Sequence, residues 1–264
     1  MRQILYISFA AAIALLAVSC KKDNAGKRSS PKTPVPEAID LGTIVNGKNV
    51  KWASFNIGAS KPYEYGDYFA WGETTTKTDY SWGTYAYATG ASSKLTKYCH
   101  EDGTSYWDAT SKPDGPDGIE TLYPSDDVAH AKLGGGWRMP TFDDFKALRA
   151  LKTKAEEENS DYIWEPWVFA TDENGDEAKD SNGNVIYGLR ITRKSTNAVL
   201  FLPAAGYCDG TTIGKQVGIF GYYWSSYLYV ANANCGYRFD VYEDGSGFMP
   251  SSRSMGLSVR PVTD

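Results

Sequence analysis

The chain has 264 residues, a formal net charge of −5 and 14% aromatic residues, among them 19 Tyr and 8 Trp. No basic stripe is present to neutralise phosphates, so nucleic-acid binding is not expected. Only two His occur, His100 and His130, and they share no ligand spacing; zinc sites and His-based acid–base chemistry are not expected either.

At the N-terminus Arg2 precedes an apolar run, Ile4 to Val18, broken only by Ser8. The run is too short for a good transmembrane helix and fits the core of an export signal. It closes on Leu16-Ala17-Val18-Ser19-Cys20 and switches to Lys21-Lys22-Asp23-Asn24. This resembles a lipobox, so residues 1–19 are expected to be a lipoprotein signal peptide and Cys20 the lipid-bearing first residue of the mature chain. The alternative is an ordinary secretory signal with an incidental cysteine. A diacyl anchor gains about 0.8 kcal/mol per buried CH2 and would hold the protein to a membrane. The expected location is the cell envelope, at the outer membrane. Residues 20–37, with Pro31, Pro34 and Pro36 among Lys and Ser, read as a flexible tether.

Residues 38–264 read as one globular domain. Asn46-Gly47 is a hairpin signal, because both residues accept positive φ. Residues 50–55 alternate apolar and polar like a strand. Nine aromatics follow between residues 63 and 87, and residues 99–127 read as long loops. One helix is expected over about 142–158: Thr141 is an N-cap, Asp143 and Asp144 suit the positive end of the dipole, and Phe145, Leu148, Leu151 and Ala155 recur at helical spacing. Short strands are expected at 167–171, 185–191, 199–202 (a central strand), 221–226, 237–241 and 257–262, with no sustained internal repeat. Many short strands, one clear helix and long loops indicate an irregular α+β domain. With Cys20 set aside, Cys99, Cys208 and Cys235 remain, so at most one disulfide can form within the chain. Cys208 and Cys235 lie in two β-like segments and are the expected pair; the alternative is three reduced thiols packed as small apolar groups.

An ordered set of pieces resembles a known family. They are Val50-Lys51-Trp52-Ala53 with Asn56-Ile57-Gly58, Gly66-Asp67-Tyr68-Phe69-Ala70-Trp71-Gly72-Glu73, Asp126-Asp127-Val128-Ala129 and Gly136-Trp137-Arg138-Met139-Pro140-Thr141. Phe201-Leu202-Pro203-Ala204-Ala205-Gly206-Tyr207, Tyr223-Trp224-Ser225-Ser226 and Ser258-Val259-Arg260-Pro261-Val262 complete it. The set resembles the Fibrobacter succinogenes major paralogous domain, abundant in surface lipoproteins of Bacteroidetes and Fibrobacteres. That family is similar to the C-type-lectin-like fold and to the formylglycine-generating, sulfatase-modifying domain. The resemblance implies a lectin-like domain closed by pairing strand 50–55 with 257–262. It also bears on the cysteines: in the family the Leu-Pro-Ala-Ala-Gly-Tyr run is usually followed by Arg and the strand of Cys235 usually has no cysteine, and a paired change would explain both.

The resemblance implies no activity, because such folds host many functions. Glu165-Pro166-Trp167 lacks the amide of a calcium-lectin motif. Asp172, Asn174 and Asp176 are spaced like a calcium loop, but Glu177 stands where that loop needs Gly. Cys235 has no neighbouring cysteine for the copper chemistry of the formylglycine-generating enzymes. No metal and no cofactor is therefore expected. Asp127 is expected to pair with Arg138 and fix the helix entry, rather than form an acidic catalytic pair with Asp126. Trp52, Trp137 and Trp224 are read as core. The best binding candidates are Tyr80, Trp82, Tyr85 and Tyr87, set among Ser, Thr and Gly where a loop could expose them to sugars or peptides; the alternative is that they cover the domain's own core. The expected function is a membrane-anchored, non-enzymatic binding module or adhesin for a glycan or protein ligand. The alternatives are a structural or fimbria-associated subunit, and a divergent formylglycine-generating enzyme or hydrolase.

Overall fold

The computed structural model describes residues 34–99 and 120–264. Cys20, the signal peptide and most of the tether lie outside them. The compact unit begins at Thr33, a few residues before the expected boundary. Its edge is fixed by Glu37, whose carbonyl accepts from Ser54 N and whose amide donates to Ser54 Oγ.

Eleven strands and two short helices are present among the described residues. Strand β1 (Ala38–Val45) turns at Asn46-Gly47 into β2 (Lys48–Ala53). Both turn residues have positive φ, 50° and 79°, as a two-residue hairpin of this type requires. Strand β2 also pairs with the last strand, β11 (Val262–Thr263), with Trp52 opposite Val262. The chain is thus closed by its two ends.

Helix α1 (Val128–Leu133) was not expected. At six residues it is too short to show helical periodicity. Helix α2 (Phe142–Ala155) matches its expected start. Thr141 Oγ1 accepts from Asp144 N, and the Asp144 carboxylate accepts from Thr141 N, a complete capping box. The helix ends three residues earlier than expected. Glu156, Glu157 and Glu158 would put negative charge on the negative end of its dipole. Phe145, Leu148 and Leu151 are fully buried, each stabilising by roughly 1.5–3 kcal/mol. They pack in one core with Trp52, Leu189, Leu202, Tyr223 and Phe239.

After α2 come β3 (Tyr162–Phe169), β4 (Tyr187–Arg193) and β5 (Ala198–Pro203), an antiparallel sheet in that order. Strand β5 is therefore an edge, not a central strand. Its apolar run is explained by Leu200, Phe201 and Leu202 facing the interior. A small hairpin, β6 (Tyr207–Asp209) and β7 (Thr212–Lys215), follows. Strands β8 (Gly221–Leu228), β9 (Cys235–Tyr242) and β10 (Gly245–Ser252) form the last antiparallel sheet. The architecture is mostly β, in several small antiparallel sheets.

Between β3 and β4 the chain makes a short tandem repeat that the sequence reading missed. Asp172-Glu173-Asn174-Gly175-Asp176 is followed eight residues later by Asp180-Ser181-Asn182-Gly183-Asn184. In each turn the leading Asp accepts from the amides two and four residues on, at 2.8–3.0 Å. Both glycines have positive φ. Ala170, Ala178 and Ile186, eight apart and buried, hydrogen-bond to one another through their backbones. Asp172 therefore serves a turn of the kind that Asp side chains commonly make.

Two fully buried arginines hold loops together without a carboxylate partner among the described residues. Arg253 donates to the carbonyls of Lys97, Tyr98 and Ala233 and to the Tyr85 hydroxyl, and lies 4.9 Å from the Trp71 ring centroid. Arg260, from the Ser-Val-Arg-Pro-Val motif, donates to Asn56 Oδ1 and to the carbonyls of Ala53 and Phe201. Carbonyl dipoles stand in for an anion at both places, which satisfies the donors without burying a second charge.

Candidate binding site

The aromatic stretch proposed from sequence turns inward. Tyr80 and Tyr85 are each 2% exposed. Tyr80 donates to the Tyr68 carbonyl, Tyr85 to that of Trp71 and Tyr87 to that of Gly72. Trp82 and Tyr87 are half-buried and pack edge-on against Tyr85. Each hydroxyl has a backbone partner, so this segment fastens itself to residues 68–72 instead of presenting rings to a ligand. Burial raises the Tyr80 phenol to about 12.

The cysteine expectation is also corrected. Cys208 and Cys235 are free thiols. Cys208 is sealed in a cluster with Ala70, Tyr80 and Tyr85 and is held by backbone bonds to Gly256. Cys235 opens β9 opposite Ser252. Cys208 thus faces Gly256 and Cys235 faces Ser252, not one another. Burial pushes the Cys208 thiol up to about 11, which makes it unreactive. Cys99 is buried in the core.

Asp127 and Arg138 do not pair. Asp127 caps helix α1: Oδ1 accepts from His130 N at 3.0 Å, and Oδ2 from Met139 N at 2.7 Å. Arg138 instead bonds Asp144 at 2.5 Å and Asp264 at 2.8 Å. The arginine does brace the entry to α2, through the capping-box aspartate. The sequence reading missed this because it did not see α1, whose first turn claims Asp127.

Two neighbouring aspartates show opposite titration. Burial alone would raise Asp126, but hydrogen bonds from Lys97 and Tyr98 more than offset it and hold its carboxyl below the usual value. Asp127 is raised by burial, only partly countered by the His130 and Met139 amides. A hollow of about 360 Å3 beside it is lined by His130, Trp137, Arg138 and Ser226. Trp137 is therefore half-exposed, unlike Trp52 and Trp224, which are core as expected. Both Asp127 oxygens accept from backbone amides, which holds the carboxylate as the cap of α1.

A larger surface concavity lies elsewhere. An open cleft of about 750 Å3 is lined by Tyr63, Tyr65 and Tyr68 on one side and by Asp180, Asn182 and Asn184 of the second tandem turn on another, with Ile213 and Val217 completing it. Its first wall comes from a segment more than a hundred residues before the other two. Tyr68 is anchored by donating to the Ala205 carbonyl. Tyr63 donates to Glu173 at 3.0 Å, and Lys61, itself bonded to Glu173, lies 5.6 Å from the Tyr63 ring centroid. The Tyr65 carbonyl accepts from Asn56 Nδ2, and its ring packs against the buried cluster of Ala170, Ala178, Ile186 and Phe201. Its hydroxyl makes no hydrogen bond to the described residues. Burial and the nearby Asp180 charge push that phenol up to about 12, so it stays a neutral donor and acceptor. The backbone amide of Asn184 keeps Asp180 ionised below the ordinary carboxylate range. The exposed side chain of Asn182 is unengaged among the described residues.

Aromatic faces beside the unengaged Tyr65 hydroxyl and Asn182 amide are suited to holding a polyhydroxylated ring, its apolar face on an aromatic and its hydroxyls on the rim. The tandem Asp-x-Asn-Gly pattern was the sequence signal for one wall, but it reads only as turns until the fold brings Tyr65 beside it. No family model, no curated protein and no solved structure matches this chain.

Proposed function

We propose that this protein is a lipid-anchored surface module that binds glycans in the Tyr63–Tyr65–Tyr68 cleft without acting on them chemically. The observation that carries this reading is the half-buried Tyr65 ring, packed on Ala170, Ala178, Ile186 and Phe201 with its hydroxyl unengaged among the described residues, lining one cleft with Asp180, Asn182 and Asn184. The lipobox at Cys20 supports attachment to the outer membrane. The closure of β2 on β11, with the ordered motifs, supports a C-type-lectin-like fold and membership of the Fibrobacter succinogenes major paralogous domain family.

The test is a glycan array probed with residues 33–264, the compact unit. Selective retention on a group of related sugars is expected, and a blank array would overturn the reading. Anchoring is tested separately. A fatty-acid analogue should label the wild type and leave Cys20→Ala unlabelled; equal labelling of both would refute it.

A further inference from the structure

The segment that closes the cleft at Val217 runs on along the surface. The next residue, Gly218, opens a second hollow of about 330 Å3, lined by Trp167, Phe220, Tyr242, Glu243 and Asp244. One chain segment, 213–220, therefore forms a rim of both. On the other side, Ile186 belongs to the first cleft, and the next residue, Tyr187, stacks on Trp167 with centroids 6.0 Å apart and rings only 7° from parallel. Phe220 continues the aromatic surface, stacked on Tyr222 at 5.4 Å and 14°. Tyr187 is 37% and Ile219 56% exposed.

Two stacked aromatic pairs at a second polar hollow are more than a single sugar needs. The charge of the lining narrows the ligand further. Glu243 and Asp244 are exposed and form no ion pair among the described residues, and the first cleft carries Glu64 and Asp180 against one cation, Lys179, so the combined lining is net acidic. These carboxylates accept hydroxyl hydrogens but repel a ligand carboxylate or sulfate.

Building on the glycan reading, we infer that the ligand is a neutral oligosaccharide chain spanning both hollows, with one end against Tyr65 and the other against Trp167. Filling a second subsite within one ligand adds affinity without a second association cost. Free monosaccharides and acidic polysaccharides are then poor ligands.

The experiment is titration calorimetry of the full chain in a sugar-free detergent. The probes are neutral gluco-, manno-, xylo- and galacto-oligosaccharides of increasing length, with oligogalacturonates as the acidic set. One neutral series should tighten by about tenfold or more between disaccharide and hexasaccharide. Trp167→Ala should remove that gain and leave disaccharide affinity intact. Tyr187→Ala, which removes only the exposed stacking partner, should reduce the gain in the same way if Trp167→Ala proves unstable. Affinity independent of length, or a gain that survives both variants, would overturn this inference and leave the glycan reading standing. Preference for the acidic set would overturn the neutral assignment. No binding by any series would overturn both.

Discussion

Two tyrosine-rich segments, 63–68 and 80–87, have nearly the same composition and opposite roles. In the second, every tyrosine hydroxyl donates to a main-chain carbonyl of residues 68–72, and the buried guanidinium of Arg253 locks Tyr85 from behind. In the first, Tyr68 alone is tied to a carbonyl; Tyr63 reaches a surface Glu, and Tyr65 is left uncommitted. An aromatic residue becomes a binding group when the fold fixes its ring and leaves its polar handle unused. Composition cannot report that difference, because it depends on which carbonyls the distant chain delivers.

The largest effect should come from Arg253→Met. It strands three buried carbonyls and the Tyr85 hydroxyl, and unsatisfied buried groups cost about 1–3 kcal/mol each. A loss on the order of 4 kcal/mol is expected by chemical denaturation. A loss below about 1 kcal/mol would mean that the inward segment is not held as described. Tyr85→Phe removes one hydroxyl from the same network and should cost roughly 1–2 kcal/mol, with the aromatic packing retained. Tyr65→Ala should shift stability by about 1 kcal/mol or less while abolishing sugar binding. A Tyr65 variant that unfolds the domain would erase the contrast between the segments.

Acid titration sharpens the same contrast through Asp126, which holds Lys97 and Tyr98 at the border of the inward segment. Its folded pKa is depressed below 3.8, so its contribution is present above the unfolded value and lost as pH falls through the folded one. Asp126→Asn should flatten the loss of stability in acid. Asp127 is raised above 3.8, so its stabilisation is present at low pH and lost as pH rises through the folded value. Asp127→Asn should therefore change the acid slope in the opposite direction. Stability curves measured between pH 2.5 and 6 for both variants check the signs; matching slopes would contradict the assignments.

Local signals were legible where a few adjacent residues suffice. Thr141 with Asp144 defined the start of α2, and Asn46-Gly47 defined the first hairpin. The approach of β2 to β11 came from resemblance, since nothing local links Trp52 to Val262. Helix α1 was hidden by its length, although Asp127 three residues before His130 is the cap that marks it. The disulfide failed because two strands of β character need not be neighbours, and a small thiol fills a cavity as well as it forms a bridge. The cleft was the least legible feature: Tyr65, Asn182 and Val217 meet only after three separate segments have folded.

The most direct measurement compares Tyr65→Ala with Trp82→Ala for affinity toward the sugar that the array selects, with melting curves recorded for both. Both side chains are half-buried aromatics, one from each segment. Loss of binding in Tyr65→Ala with near-wild-type affinity in Trp82→Ala is the predicted result. Retained affinity in Tyr65→Ala with loss in a folded Trp82→Ala would place the site in the 80–87 segment and contradict the account.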